Sequence, residues 1–373
     1  MLRLIGSHAI YACFARSSTG KSLGGGAGSW SLRYDDIISI ENLLNAWGEF
    51  VKGKCTRTDV QEFGRHLMTN ILALNQDLAS GTYRHGGYRH FRISDPKPRD
   101  IHKASVRDRL VHHALYRQLY PFFDRTFIAD SYSCRTGKGT HRAMDRFRAF
   151  AQKVSKNDTR TCWVLKCDIR KFFASIDHAV LTEILRTRIS DERLLALIGG
   201  IVGSFHTEGK PGTGLPLGNL TSQLLVNVYM NEFDQFVKHK LKEKYYIRYA
   251  DDFVVFSRDR NHLAKTLSYM IVFLHERLRL NLHPGKVSIQ TLASGVDFLG
   301  WVHFPCHRVL RTSTKRRMFS RIEEACGKTE VVQSYHGLLS HGNGYQLRLA
   351  ILQAGSARRG RFQPCLGTRR FCR

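Results

Sequence analysis

Two adjacent aspartates, Asp251 and Asp252, stand in the run Tyr245-Tyr-Ile-Arg-Tyr-Ala-Asp-Asp-Phe-Val-Val-Phe256. β-prone residues flank them on both sides, so the run predicts a hairpin with the acids at its tip. Neighbouring carboxylates repel, and a tight turn keeps them mainly where something cationic neutralises them. An all-oxygen donor set of this kind suits Mg²⁺. Taken alone, an Asp-Asp turn is more often just polar. A second acidic strand end upstream alters that balance. Thr161-Cys-Trp-Val-Leu-Lys-Cys-Asp168 is an apolar run of strand length that ends in a lone carboxylate. It continues as Ile169-Arg-Lys-Phe-Phe-Ala-Ser-Ile-Asp177, where Asp177 reads as the N-cap of a helix with Val180, Leu181, Ile184 and Leu185 on one face. Side by side in a sheet, the two strand ends would hold a pair of metal ions, the arrangement that binds the attacking and leaving oxygens of an in-line phosphoryl displacement. Spacing alone leaves open whether the strands are neighbours.

The elements that must position these acids belong to a chain of 373 residues, enough for two or three small domains with real cores. Hydrophobic residues make up 42%, which marks a globular rather than a disordered protein. The formal charge of +27 points to a polyanionic partner, with nucleic acid ahead of a membrane surface, since no apolar run is long enough to span a bilayer. Nine scattered cysteines without a C-x-x-C pair argue against a zinc site and a disulfide scaffold, and fit reduced thiols in a cytoplasm. Ser18-Thr-Gly-Lys-Ser22 lacks the earlier glycine of a phosphate loop, with Ala15 in its place, and the apolar stretch at 9–14 is too short for a signal peptide. Residues 1–33 are expected to be a disordered extension.

Further along, helix-spaced apolar residues cover 36–80, and Gly81 to Ile93 reads as strand, Gly-Gly turn and strand. Residues 84–109 are rich in arginine and lysine with interleaved aromatics, which favours contact with nucleic acid or triphosphate over a merely solvated face. His112 and His113 have no partner at ligand spacing and read as core or helix-surface residues. Asn219 caps a long helix with an apolar stripe, while Gln223, Asn227 and Asn231 form a polar row, on the plainer of two readings a face in water. A helix is expected over 261–280 and a hairpin over 294–304. A smaller basic helical part follows, and then a basic tail.

Five segments in order resemble the successive motifs of reverse transcriptases: Asp168 to Asp177, Gly214-Leu-Pro-Leu-Gly-Asn-Leu-Thr-Ser-Gln223, Tyr249-Ala-Asp-Asp252, His283-Pro-Gly-Lys286 and Phe298-Leu-Gly-Trp301. The resemblance spans about residues 35–350. Within the family the chain looks most like the enzymes of diversity-generating retroelements. Most relatives carry glutamine-glycine and then serine-proline where this chain has Leu217-Gly218 and Ser222-Gln223.

The resemblance implies an α+β, right-hand polymerase fold. Fingers with part of the palm would occupy 34–160, the palm 161–304, a thumb 305–355 and a basic tail 356–373. It implies an RNA-directed DNA polymerase in which Asp168 and Asp251 bridge two Mg²⁺ ions, with Asp252 nearby and the Ile169 carbonyl as a further ligand. Lys286 would protonate or neutralise the pyrophosphate, although a surface lysine after a Pro-Gly turn is the plainer alternative. Lys97 and Arg99 would grip the triphosphate, Phe173 would exclude a 2′-hydroxyl, and Leu217, Gly218 and Gln223 would meet the nascent pair. Phe298, Leu299, Gly300 and Trp301 would grip the primer. The implied partners are a structured template RNA with its cDNA, deoxynucleoside triphosphates and a small basic oligomeric accessory protein. Other readings are a retron-like or antiphage enzyme, a group II intron-type enzyme without an endonuclease, and an idle RNA-binding scaffold; the three acids argue against the last.

Overall fold

The computed structural model describes residues 32–94 and 98–359, and within 353–359 the backbone alone. The expected N-terminal extension up to residue 31, Lys97, and the tail from residue 360 lie outside the described residues. The chain opens with helices α1 (Tyr34–Ile38), α2 (Ile40–Phe50), α3 (Thr58–Arg65) and α4 (Leu67–Ala79). Strands β1 (Arg89–Ile93) and β2 (Arg99–Lys103) precede α5 (Val106–Asp124) and α6 (Thr140–Ser155). Then come β3 (Trp163–Asp168), α7 (His178–Arg186), α8 (Glu192–Gly203) and α9 (Leu220–Gln235). The hairpin β4 (Tyr246–Tyr249) and β5 (Asp252–Ser257) leads to α10 (Arg260–Leu278) and β6 (Ser288–Thr291). Strands β7 (Val296–Phe298), β8 (Trp301–His303) and β9 (Arg308–Leu310) lead into α11 (Thr312–Glu324), α12 (Thr329–Leu339) and α13 (Tyr345–Arg359).

The central sheet has the order β4-β5-β3-β6 and is antiparallel throughout. Its two faces follow from strand alternation. Leu165, Cys167, Tyr246, Phe253 and Val255 face the large core shared with α5, α9 and α10. Val164, Ile247, Val254 and Phe256 face the opposite way, onto Phe147, Phe150 and Val154 of α6 and onto Val296 and Phe298 of β7. Helices α11 to α13 form a separate small core around Met318, Ile322, Leu339 and Ile351, into which Trp301 inserts.

One expected hairpin is replaced. No strand forms over residues 81–88, and β1 pairs instead with β2, with Arg89 opposite Lys103 and Ile93 opposite Arg99. The reason is local capture by α5. Asp108 accepts a hydrogen bond from the Tyr83 hydroxyl at 2.8 Å and from the Gly86 N–H at 3.2 Å, while His85 pairs with His112 at 3.1 Å. These bonds to α5 hold the stretch in place without a strand partner. A side chain at Gly86 would crowd the Asp108 carboxylate, with a Cβ only 2.9 Å from its oxygen.

The polar row of α9 is the second correction. Asn227 and Asn231 are buried, not in water. Asn227 donates to the Ser133 carbonyl at 2.9 Å and accepts from Arg248 at 3.3 Å. Helix α9 lies between the sheet and α5, so most of its circumference is covered, and Asn227 and Asn231 are bonded to protein partners rather than solvated.

Candidate active site

The sheet brings the three acids together. Asp168 closes β3 and stands directly opposite Asp252, the first residue of β5. Directly paired residues on neighbouring strands share a face, so the two carboxylates project to the same side. Asp251 occupies the two-residue loop between Tyr249 and Asp252, and its carbonyl accepts the Ile169 N–H at 3.2 Å. The loop is entered through Ala250 in the left-handed region, at φ 54°, a conformation that costs a non-glycine residue about 1 kcal/mol.

Lys286 is delivered to the same point. The His283 N–H donates to the Asp168 carbonyl at 2.8 Å, and the tight turn Pro284–Lys286 follows. The Lys286 Nζ donates to both Asp168 carboxylate oxygens at 2.9 Å. Burial pushes the Asp251 carboxyl above the usual range; the Asp168 charge adds to this, while Lys286 and Arg99 oppose it. Burial likewise lifts Asp252, to about 6, with Lys166 opposing and the other two aspartates reinforcing the shift. Lys166 lies two residues before Asp168 on the same face of β3.

The donor set therefore consists of desolvated oxygens short of positive charge, with one ammonium already clasped by Asp168. That chemistry fits a hard divalent cation. Among the described residues no three His, Cys, Asp or Glu side chains converge tightly enough to form a ligand shell alone. Mg²⁺ is commonly held by one or two carboxylates, with water and substrate phosphates completing its shell.

Around the acids the other singled-out residues divide. Arg99 is exposed on β2, close enough to Asp251 to act on it electrostatically. Phe172 is buried, and Phe173 is half-buried against it edge-on, with centroids 5.6 Å apart. They sit in a 3₁₀ turn rather than an extended segment. The Phe173 carbonyl accepts the Leu215 N–H at 2.8 Å, tying this turn to the segment before Leu217. Gly214, at φ 104°, closes that link: a Cβ there would lie 2.2 Å from the Thr207 hydroxyl. The Leu217 carbonyl accepts the His102 N–H at 3.2 Å, so Leu217 and the exposed Gly218 adjoin the strand that carries Arg99. Asn219 occupies the N-cap position, but its amide donates to the His102 carbonyl at 3.3 Å and does not cap the helix. Gln223 is half-buried one turn further on.

Of the four residues expected to grip the primer, Phe298 is buried in the core between the central sheet and α6, and Trp301 in the small core of α11 to α13. The turn Leu299-Gly300 between them, with both residues at positive φ, is half-buried, and Leu299 packs against both cores.

A buried ion pair beneath the hairpin was not anticipated. Arg248 on β4 and Asp234 on α9 are paired at 2.7 Å and essentially sealed from solvent. The signal was present: an arginine in the otherwise apolar strand Tyr246–Tyr249 requires a partner.

The reverse transcriptase (RNA-dependent DNA polymerase) family model matches residues 94–303, more than half of the chain, and the chain belongs to that family. It is 26% identical over 287 residues to Protein YkfC of Escherichia coli strain K12, covering 67% of this chain and 73% of that protein. It is 22% identical over 349 residues to the group II intron-encoded protein LtrA of Lactococcus lactis subsp. cremoris, covering 75% of this chain but only 56% of LtrA. Telomerase from Candida albicans, solved with a fragment of telomeric RNA, is similar in structure at a TM-score of 0.48 and 11% identity, over 74% of this chain and 55% of that one. Among the described residues no helix is long and apolar enough to cross a membrane.

Proposed function

We propose that the chain carries out RNA-templated DNA synthesis at the end of the β3–β5 pair. The observation that carries this reading is the registered juxtaposition of Asp168 and Asp252, with Asp251 in the loop and Lys286 on Asp168. In the reaction a primer 3′-oxygen bonds to the α-phosphorus of a deoxynucleoside triphosphate. The bond to the β-phosphate bridging oxygen breaks, pyrophosphate leaves, and the hydroxyl proton passes to water. Asp168, Asp251 and Asp252, with the Ile169 carbonyl, would hold two Mg²⁺ ions, whose contribution is to stabilise the charge that develops on the attacking and leaving oxygens. The protein's part is positioning and charge neutralisation. Lys286 is free to move from Asp168 to a triphosphate or departing pyrophosphate. Arg99, exposed on β2, would meet the phosphates, and Lys97 would join it in this role. Phe173 fills the space of a 2′-hydroxyl. The Leu299-Gly300 turn steadies the primer.

The finer assignment is error-prone cDNA synthesis from the template-repeat RNA of a diversity-generating retroelement, assisted by a small basic oligomeric accessory protein. Its support is Leu217 in place of the usual glutamine, together with Ser222-Gln223. The similarity to LtrA favours the second reading, an intron-type enzyme. Extension of a DNA primer on an RNA template, with Asp168→Asn as control, tests the activity: equal product from both proteins would refute it. Sequencing the cDNA separates the finer readings. Errors concentrated opposite template adenine support the retroelement, and uniformly rare errors support the intron type. If the basic surface binds RNA through six or more phosphates, affinity falls by about 10³ or more between 50 and 200 mM salt.

A further inference from the structure

Arg248 is the largest buried charge near the hairpin, and every one of its N–H groups has an acceptor. Nε donates to Asp234 Oδ1 and Oδ2 at 2.8 and 3.0 Å. Nη2 donates to Asp234 Oδ2 at 2.7 Å and to the Ser131 hydroxyl at 3.2 Å. Nη1 donates to Asn227 Oδ1 at 3.3 Å and to the carbonyl of Ala250 at 3.1 Å. Five of these six contacts join core elements: helix α9 and the segment at Ser131. The sixth reaches the loop that carries the acids. Ala250 is the left-handed residue there, and its carbonyl belongs to the peptide plane that enters Asp251. A left-handed alanine persists only where its surroundings hold it. On one side the hairpin ladder holds it, through Tyr249 opposite Asp252. On the other side is this guanidinium, which is anchored so rigidly that it cannot follow the loop.

We propose that Arg248 is a positioning residue for the acid pair: through the Ala250 carbonyl it fixes the peptide plane that aims Asp251. This rests on the reading of Asp251 as a catalytic acid. Planar geometry makes the role specific to arginine. A fork of five donors can clasp Asp234 and still reach Ala250, whereas the single ammonium of lysine cannot serve both.

Two substitutions test this without stranding a buried ion. Arg248→Lys keeps the charge opposite Asp234. Arg248→Gln combined with Asp234→Asn removes both charges together. Ser131→Ala, which loses a bond to the same guanidinium but leaves Ala250 untouched, is the control. With folding checked by circular dichroism, both test proteins are expected to lose tenfold or more in kcat and to need severalfold more Mg²⁺ for half-maximal rate, with the KM for deoxynucleotide within twofold. Amide hydrogen exchange in the metal-free proteins should quicken at Ala250, Asp251 and Ile169, whose N–H is bonded to the Asp251 carbonyl. Ser131→Ala should match the native chain in all of these. A folded test protein with native kcat, Mg²⁺ demand and exchange rates would overturn the proposal. So would failure of both test proteins to fold where Ser131→Ala folds, since Arg248 would then serve the core alone. The exchange arm needs neither template nor turnover, so an inactive native chain would refute the polymerase reading without deciding this one.

Discussion

The hairpin β4–β5 separates two charged sites of opposite design. Beneath it, Asp234 and Arg248 neutralise one another, and the Tyr246 hydroxyl donates to the same carboxylate at 2.7 Å. At its tip, Asp168, Asp251 and Asp252 share Lys286, with Lys166 and Arg99 acting only from nearby. Burial is complete in the first site, where each charge has its partner; in the second, burial lifts Asp251 and Asp252 above the usual carboxylate range. The contrast shows that depth does not mark chemistry here. A fully matched pair gives a rigid footing, whereas negative charge left in excess of its partners is charge kept for a substrate-borne cation.

The sharpest way to break this comparison is to make the same substitution on both sides. Asp251→Asn removes charge where charge is in excess, so the fold should be unharmed or slightly steadier, while primer extension falls by about 10³ or more, which corresponds to roughly 4 kcal/mol of lost transition-state stabilisation. Asp234→Asn strands a buried guanidinium and should cost about 3–5 kcal/mol of stability. Urea unfolding and single-nucleotide extension, run on both proteins, check the pair of outcomes. Loss of stability in Asp251→Asn would contradict the division drawn here.

Sugar choice comes next in size. Phe173 is half-buried against the large core in which its neighbour Phe172 is fully buried, and the proposed role gives its exposed part to the sugar. Phe173→Ala should raise the ratio of ribonucleotide to deoxynucleotide kcat/KM by about tenfold or more, in line with the about 1–3 kcal/mol that such apolar contacts discriminate. An unchanged ratio would assign Phe173 to packing.

Acid stability sharpens the comparison from two further places, where buried histidines are held neutral. Burial holds His112 of α5 down to about 3, so it is neutral in the fold. Burial also lowers His303 of β8, to about 4. Since the unfolded chain binds these protons near pH 6.5 and the folded chain does not, stability is full above pH 6.5 and is lost as the pH falls below it. At pH 5 the loss is about 2 kcal/mol for His112 alone. Urea unfolding at pH 7 and pH 5 measures it, and His112→Gln should shrink the difference by about 2 kcal/mol while the share of His303 remains.

How much of this was legible in the sequence depends on range. The acid-bearing hairpin, the strand ending at Asp168 and the Asp177 cap are local, and each is found: the Asp177 carboxylate accepts the Val180 N–H at 3.0 Å. Motif order also pointed to the Lys286 turn. What escaped was decided by partners far along the chain. The Gly86-Gly87 stretch carries a good turn signal, but Asp108 and His112 of α5 outcompete a strand. The row at Asn227 and Asn231 has the spacing of a wet helix face, and only the packing of α9 between sheet and α5 shows it to be dry. Trp301 ends the segment expected to grip the primer, yet it is buried in the small core of the three later helices. A residue's type told its chemistry; its neighbours decided whether that chemistry faced the core or the substrate.

The smallest expected effect is on fidelity, and it rests on Leu217. This residue is half-buried beside the exposed Gly218, and its carbonyl is bonded to the His102 N–H on the Arg99 strand. On the proposed reading its backbone would belong to the wall that meets the nucleotide, while its side chain has no hydrogen-bonding group. An incoming nucleotide packed against it would be held by stacking and by its phosphates, with no polar contact from residue 217 to fix the sugar. Right and wrong pairs then differ less in transition-state energy, and a difference smaller by about 1.4 kcal/mol is tenfold in error rate. Leu217→Gln restores an amide at that point while nearly conserving volume. It should lower misincorporation severalfold, most clearly opposite template adenine if the retroelement assignment is right, and leave synthesis intact. Sequencing cDNA from both proteins on one RNA template checks this. An active Leu217→Gln protein with the native error spectrum would return Leu217 to the packing of the wall and leave any infidelity to another residue.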